Sequence, residues 1–269
     1  MAPIVLKEIW IYPIKSLGGI RLETASVKKK GLEFDRRWML IDKDGIAMTQ
    51  RVHPAMALLK VRIEAEVMYI DDTKGGKPVS TKSFSLTDRV LQPITAEVSG
   101  DPVEVNEVNQ EVSQWLSELL GSRCRLVVFP EENPRPVDED YKVGNDHVSL
   151  ADAYPFMIIG QASLDDLNRR LAEGVPMNRF RPNFVFEGGA PFVEDSWRDV
   201  SIGSLPFAAV KKCDRCILTT VNQDTGEKGA EPLRTLSLYR KVGNKVYFGQ
   251  NLISLKEGRV SVGDRIISF

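Results

Sequence analysis

Two cysteines, Cys213 and Cys216, stand three positions apart with Arg215 between them, and Lys211 and Lys212 precede them. Nearby positive charge favours the thiolate, which is the form of cysteine that attacks electrophiles and binds soft metals. The residues alone leave four uses open. These are a structural zinc site, a dithiol redox pair, two packed thiols, and one thiolate ligand to a metal whose other ligands come from a cofactor.

The first two uses fit the sequence less well than the last two. A structural zinc site needs four closed ligands, and the other candidates, Cys124, His53 and His147, are isolated in the chain. A thioredoxin-like pair opens a helix, whereas "ILTTV" after Cys216 has the composition of a strand and predicts one. Free cysteines are often simply buried, so packed thiols and a single thiolate ligand stay equally supported.

A turn near the N-terminus offers groups that bind phosphate. Lys15 and Ser16 follow "IYP" and precede Gly18–Gly19. An ammonium group, a hydroxyl and free backbone amides form a phosphate cradle. An exposed lysine in a glycine turn is the simpler interpretation when the segment is taken alone.

A second candidate binding segment is "RFRPN". Pro182 fixes its own φ and disfavours helical conformations for Arg181, so we expect an extended segment here. Arg181 and Asn183 are two residues apart, which on an extended chain points them to the same side. A guanidinium and an amide on one face can hold phosphate oxygens or the edge of a heterocycle.

The overall composition excludes several classes of protein. The chain has 269 residues and a net charge of −1, so no global field attracts nucleic acid or a membrane surface. No apolar run reaches the roughly 18 residues of a membrane span, and no signal peptide is evident. Three cysteines fit a reducing compartment. The sequence therefore predicts a cytoplasmic protein without nucleic-acid or membrane partners.

Most of the elements that position these residues are predicted to be strands. A hairpin is expected around Asp44–Gly45, and "LKVRIEAEVMYI" alternates like one half-buried strand. "NEVNQEVSQWLSELLG" has helical periodicity, with Asn106 as N-cap and Gly121 as its end. "PEENPRPVDEDYKVGND" is expected to be a surface loop. "ASLDDLNRRLAEG" predicts a second helix capped by Ser163, and the remaining runs after it predict short strands.

Several motifs, taken together and in order, resemble one family. They are "IWIYPIKSLGGI", "GLEFDRRWMLID", "DAYPFMIIGQASLDDLNRRL", "NRFRPNFVF", "EDSWRDVSIG", "CDRCILTTVNQDTG" and "RVSVGDRI". The chain resembles MOSC-domain proteins, and within them the branch that contains the mitochondrial amidoxime-reducing component and its bacterial relatives. The resemblance implies a mainly β fold with peripheral helices. It implies an N-terminal β-barrel-like domain at residues 1–122 and a MOSC β-barrel domain at residues 123–269.

The resemblance also implies a pterin-based molybdenum cofactor in a cleft between the two domains. Cys216 would supply the thiolate to molybdenum and be the catalytic residue. The hydroxyl residues that related proteins place before the second helix are replaced here by Ala153 and Tyr154, whose backbone amides remain able to bind phosphate. The full set of residues expected at the cofactor is Lys15, Ser16, Arg36, Arg51, Asp152, Ala153, Tyr154, Arg181 and Asn183.

The function implied by the resemblance is reduction of N-hydroxylated compounds such as amidoximes, hydroxylamines and N-hydroxylated base analogues. The chain has no four-cysteine iron–sulfur pattern. Its electrons are therefore expected from a separate ferredoxin, flavodoxin or cytochrome b5-like protein. Two alternatives stay open, a sulfur carrier with a persulfide on Cys216 and a protein that stores or transfers the molybdenum cofactor. A family-level label, pyridoxal phosphate binding, is also carried as an expectation.

Overall fold

The computed structural model describes residues 3–74 and 76–269. In this part of the chain the protein is mainly β, with three short α-helices, α1 (Gln110–Leu120), α2 (Gln161–Asn168) and α3 (Leu233–Tyr239). In chain order the strands are β1 (Val5–Ile11), β2 (Ile20–Leu22), β3 (Thr24–Lys28), β4 (Gly31–Leu32), β5 (Trp38–Ile41), β6 (Leu59–Glu64), β7 (Val67–Lys74), β8 (Lys77–Ser85), β9 (Pro93–Val98), β10 (Asp101–Glu107), β11 (Arg125–Val128), β12 (Phe156–Gly160), β13 (Phe184–Glu187), β14 (Asp199–Ile202), β15 (Leu205–Asp214), β16 (Lys241–Val242), β17 (Lys245–Ser254), β18 (Gly258–Ser261) and β19 (Ile266–Ser268). The expected fold class is confirmed.

The largest sheet has the strand order β19-β14-β15-β17-β12-β13-β1-β2, with β16 paired to β17. Its neighbours are antiparallel except for the parallel pair β12–β13. Three smaller sheets have the orders β5-β11-β10-β9, β18-β3-β4 and β6-β7-β8. Strands from early in the chain pair with late ones in β1–β13, β3–β18 and β5–β11. The division of the chain at residue 122 therefore has several pairings across it, and we keep that division as a proposal.

Two large apolar cores hold these sheets together. One is built by the large sheet together with β3, β4 and β18, with Phe156, Phe184 and Phe207 in mutual ring contact at its centre. The other lies between β5, the β6–β8 sheet, α1 and β11. Because close-packed interiors resist deformation, the segments that leave these cores are held at fixed positions.

Two local predictions differ from the structure in the first half of the chain. "LKVRIEAEVMYI" is not one strand but the hairpin β6–β7, because Ala65 turns the chain with a left-handed φ of 53°. Helix α1 begins after Asn109, whose side-chain oxygen accepts from the Val112 amide over 2.9 Å. Asn106, the predicted cap, lies in β10 instead. The end of α1 at Gly121 is confirmed, with that glycine in the left-handed region.

The second predicted cap is wrong for a different reason. Helix α2 begins two residues before Ser163, which is fully buried inside it. Its N-terminus is satisfied from a distance by Glu194, which accepts from the Gly160 amide over 3.1 Å and from Ser163 Oγ over 2.8 Å. A carboxylate 31 residues away in sequence leaves no local pattern that could predict this arrangement.

Candidate functional site

One cleft gathers the residues that the sequence selected. Its lining contains every one of the predicted site residues, namely Lys15, Ser16, Arg36, Arg51, Asp152, Ala153, Tyr154, Arg181, Asn183 and Cys216. The first four come from the N-terminal half and the rest from the C-terminal half. The cleft wall includes five cationic side chains but only two carboxylates, Asp152 and Asp214. An anionic ligand is therefore favoured in it.

The two cysteines of the motif have different environments. Cys216 is exposed, whereas Cys213 is half-buried and its Sγ lies 2.9 Å from Arg215 Nη1. Burial raises the pKa of the Cys213 thiol, and the Arg215 guanidinium only partly opposes that rise. All three cysteines are free. The accessible thiol of the pair is thus Cys216, the residue that the resemblance selects.

The segment after Cys216 is a 3-10 turn, Ile217–Thr220, and the predicted strand is wrong. The two threonine hydroxyls explain the difference. Thr219 Oγ1 donates to the Cys216 carbonyl over 3.0 Å, and Thr220 Oγ1 donates to the Ile217 carbonyl over 2.8 Å. Such local side-chain bonds compete with a strand ladder. They close the chain into a turn that leaves Cys216 at its start, facing the cleft.

Asp152 links two of the cations. It accepts from Lys15 Nζ over 2.5 Å and also forms an ion pair with Arg51. Burial acts to raise the pKa of Asp152, but Lys15 and Arg51 hold it well below its usual range. Burial lowers the pKa of Lys15, because it disfavours the charged ammonium form. Burial alone would lower the pKa of Arg51, but Asp152 and Cys216 raise it. Arg51 and Cys216 both line the cleft.

Tyr12 and Asp35, which the sequence analysis did not select, position the other cations. The Arg36 and Arg181 guanidinium groups lie over the Tyr12 ring, 4.3 Å and 4.1 Å from its centre. Arg36 Nη1 donates to both Asp35 oxygens over 2.8 Å and 2.7 Å, and Asn183 Nδ2 donates to Asp35 Oδ2 over 3.1 Å. Its position next to Arg36 could have predicted that Asp35 belongs to the site. No feature of the sequence predicted the same for Tyr12.

Arg135 was also missed, because it lies in the loop that the sequence predicts to be on the surface. Its side chain is only 3% exposed. Arg135 Nη1 donates to the Ser149 and Ala151 carbonyls over 2.6 Å each, and Nη2 donates to the Asp152 carbonyl over 3.2 Å. It therefore fixes the backbone that carries Asp152. The sequence feature that could have identified Arg135 is its position as a lone arginine among acidic residues.

Three residues of the cleft have left-handed backbone. The φ angles are 66° at Ser16, 51° at Arg36 and 54° at Arg181. The predicted extended conformation of Arg181 is wrong, because tertiary contacts override the local preference. Its carbonyl accepts from Arg36 Nη2 over 3.1 Å, and the Pro182 carbonyl accepts from the Tyr12 hydroxyl over 3.2 Å. Such conformations cost about 1–3 kcal/mol each and concentrate at functional sites.

Arg181 carries the most informative electrostatic feature of the cleft. It is 7% exposed, and its Nη2 is buried without a hydrogen-bond partner. Burial lowers the pKa of Arg181 to about 10. A buried cation with an unused donor is costly unless an anion meets it.

Among the described residues, no group of three or more histidine, cysteine or acidic side chains is arranged to hold a metal ion.

Both parts of the chain match known domains. Residues 4–123 match the MOSC N-terminal beta barrel domain and residues 145–267 match the MOSC domain. Mitochondrial amidoxime-reducing component 1 of Mus musculus is 35% identical, over 96% of this chain and 80% of its own. Molybdenum cofactor sulfurase of Oryza sativa subsp. japonica is 30% identical, but this chain spans only 32% of its length. The YUAD protein of Bacillus subtilis has a TM-score of 0.42 at 9% identity, over 98% of this chain and 94% of that one.

Neither the matching families nor these relatives support the expectation of pyridoxal phosphate binding. The relative from Mus musculus is named as mitochondrial, so the expectation of a cytoplasmic location has no support from it. Across residues 3–74 and 76–269, no helix is both long enough and apolar enough to cross a membrane. The matches to both domains, and the near full-length similarity to the amidoxime-reducing component, decide the family. The chain belongs to the MOSC-domain family, in the branch that joins a MOSC N-terminal beta barrel to a MOSC domain.

Proposed function

We propose that the protein is a molybdenum-cofactor-dependent oxidoreductase that reduces N-hydroxylated compounds with electrons from a separate donor protein. The observation that carries this proposal is the cleft itself. An accessible thiol, Cys216, shares one cavity with buried cations that include the unpartnered Arg181. The resemblance to proteins named as amidoxime-reducing components supports the choice of substrate class.

The residues of the cleft fit a pterin cofactor that carries a phosphate. Arg181 Nη2 is a buried donor without a partner, and an anionic oxygen is the group that would satisfy it. Lys15 and Arg51 already share one carboxylate, Asp152, so they are placed to hold oxygen anions. We infer that Lys15, Ser16 and Arg181 bind the phosphate.

The metal of the cofactor has a matching protein ligand. A lone thiolate suffices for a metal whose other ligands come from a pterin, and Cys216 is the exposed thiol of the cleft. Once bound, the cofactor supplies the two-electron redox chemistry that no side chain provides. The chain's own residues orient it. Arg36 and Asn183 are fixed by Asp35, and Arg51 lines the same cleft as Cys216.

The overall reaction is balanced by an external donor. An amidoxime takes up two electrons and two protons and becomes an amidine and water, so the N–O bond is the bond that breaks. The donor protein supplies the electrons, and we propose that a small redox protein, a ferredoxin, a flavodoxin or a cytochrome b5-like protein, fills this role. The exposed Cys216 end of the cleft leaves the reacting centre open to substrate.

Reduction of benzamidoxime tests this function. The protein would be purified from a host that makes the molybdenum cofactor and assayed with reduced methyl viologen as the electron source. We expect benzamidine from the wild type and from Cys124→Ala, which removes a buried thiol outside the cleft. We expect none from Cys216→Ala. Equal activity of the Cys216→Ala variant and the wild type would contradict the proposal.

A second candidate, delivery of sulfur, is favoured by two observations. Cys216 is the exposed thiol of the pair, and the chain is similar to part of a protein named molybdenum cofactor sulfurase. In that function Cys216 would carry a persulfide. Intact-protein mass spectrometry would detect a reducible increase of one sulfur atom on Cys216 in protein that contains no molybdenum.

A further inference from the structure

Two buried glutamines join the two sides of the cleft. Gln50 is fully buried and Gln223 is 5% exposed, although they lie 173 residues apart in the chain. Gln50 Nε2 donates to Gln223 Oε1 over 3.1 Å, and Gln223 Nε2 donates to Gln50 Oε1 over 2.8 Å. The two side-chain amides therefore form a reciprocal pair.

The pair is continuous with both walls of the candidate site. A side-chain amide has two N–H donors, and each glutamine uses its second donor on its own side. Gln50 donates to the Ser16 carbonyl over 2.7 Å, and Gln223 donates to the Val221 carbonyl over 3.1 Å. Ser16 belongs to the left-handed turn beside Lys15, and Val221 follows the 3-10 turn that begins at Cys216.

Two lysine contacts reinforce the region around the pair. Lys60 Nζ donates to the Gln223 carbonyl over 2.6 Å, and Lys228 Nζ donates to the Arg51 carbonyl. Both lysines reach from positions that are at least partly exposed, where water can replace a hydrogen bond. The amide pair is buried, so water cannot replace it and its geometry is fixed more tightly.

We propose that Gln50 and Gln223 are positioning residues that set the distance between the Lys15–Ser16 turn and the Cys216 turn. This inference rests on the proposed function, in which one cofactor contacts both turns at once. It predicts that breaking the pair weakens only a ligand that needs both sides. A ligand held by the cations alone is unaffected.

The test compares a one-sided ligand with a two-sided one. Inorganic pyrophosphate, titrated calorimetrically into protein made without cofactor, probes the cationic side. The rate at which protein loaded in a cofactor-producing host loses molybdenum during dialysis probes both sides together. Gln223→Met removes one amide and keeps the bond from Gln50 to Ser16. Gln250→Met is the matched control, because Gln250 is also buried and its Oε1 has no partner.

We expect Gln223→Met to lose molybdenum at least about five-fold faster than the wild type, the low end of typical coupling between two sites. Its pyrophosphate affinity is expected to stay within about two-fold, since its cations are untouched. Gln250→Met should match the wild type in both measurements. In the double variant Gln50→Met/Gln223→Met neither side-chain amide is left facing a methionine, and only the Ser16 and Val221 carbonyls lose a donor. It therefore tests the pair even if the single variant does not fold. It should also lose molybdenum faster.

Three results would overturn the proposal. The first is equal molybdenum loss from Gln223→Met and Gln250→Met. The second is a parallel fall of pyrophosphate affinity and molybdenum retention in Gln223→Met, since general destabilisation explains it. The third is a wild type that binds no pyrophosphate. A wild type that never holds molybdenum is a different failure, because it removes the proposed function and this inference with it.

Discussion

Arg181 is a buried cation whose hydrogen-bonding capacity the protein alone does not satisfy. Its guanidinium lies over Tyr12, its Nη2 is buried without a hydrogen-bond partner, and its backbone is left-handed. A stacked cation is worth about 2 kcal/mol when desolvated, whereas an unpaired buried charge costs more. Burial is the largest cause of the lowered pKa of Arg181 and outweighs the nearby charges of Asp35 and Asp152.

Replacing Arg181 with methionine should therefore stabilise the protein without cofactor. We expect a gain of about 1 kcal/mol in the free energy of unfolding at neutral pH, measured by urea denaturation. In the wild type the unfolded state binds the Arg181 proton more tightly than the folded state does. Stability contributed by this group therefore rises with pH above about 10, and the gain of the variant shrinks there.

The control for that measurement is Arg198→Met, at an exposed position outside the cleft. It should leave stability unchanged. The same Arg181→Met protein should retain less molybdenum than the wild type, so that stability and binding move in opposite directions. Loss of both together would mean that Arg181 has a structural role only.

Among the elements, helix α1 offers a direct choice between a predicted cap and the observed one. Asn109 accepts a hydrogen bond from the Val112 amide, whereas Asn106, half-buried in β10, donates to the Val90 carbonyl through an exposed hydrogen bond. Asn109→Ala should cost about 1 kcal/mol of unfolding free energy. Asn106→Ala should cost clearly less. Urea denaturation measures the unfolding free energy of both variants. An equal or larger loss of unfolding free energy in Asn106→Ala would contradict the assigned helix start.

Helix α2 gives a pH-dependent prediction at the same scale. Burial raises the pKa of Glu194, although bonds from Gly160 and Ser163 act against the rise. The folded state therefore binds this proton more tightly than the unfolded state, so the stability due to Glu194 falls as pH rises through the carboxyl range. Wild type should lose stability relative to Glu194→Gln as pH rises above the ordinary glutamate pKa of about 4.3. Parallel pH profiles of the two proteins would contradict this.

The elements also show how far the sequence predicts the fold. The mainly β class and the end of α1 at Gly121 follow from local pattern. The β6–β7 turn was missed because Ala65 is not a typical turn residue, and the Cys216 turn was missed because β-branched residues favour strands. In the second case threonine hydroxyls bonded to nearby carbonyls reverse that preference, and only their three-dimensional partners reveal it.

For the whole molecule, the family motifs predicted ten residues that now line one cleft. The supporting contacts were not predictable, because they join residues far apart in the chain. Asp152 reaches back to Lys15 across 137 residues, and Gln50 reaches Gln223 across 173. Sequence pattern carries information about neighbours within an element, but it does not specify which loops meet.

The molybdenum-to-protein ratio shows whether this cleft holds a molybdenum cofactor through Cys216. Wild type, Cys216→Ala and Cys124→Ala would be purified from a host that makes the cofactor, desalted, and measured by elemental mass spectrometry. The account predicts near-stoichiometric molybdenum in the wild type and in Cys124→Ala, and a much lower ratio in Cys216→Ala. Folded wild type without molybdenum, or equal ratios in all three proteins, would contradict it.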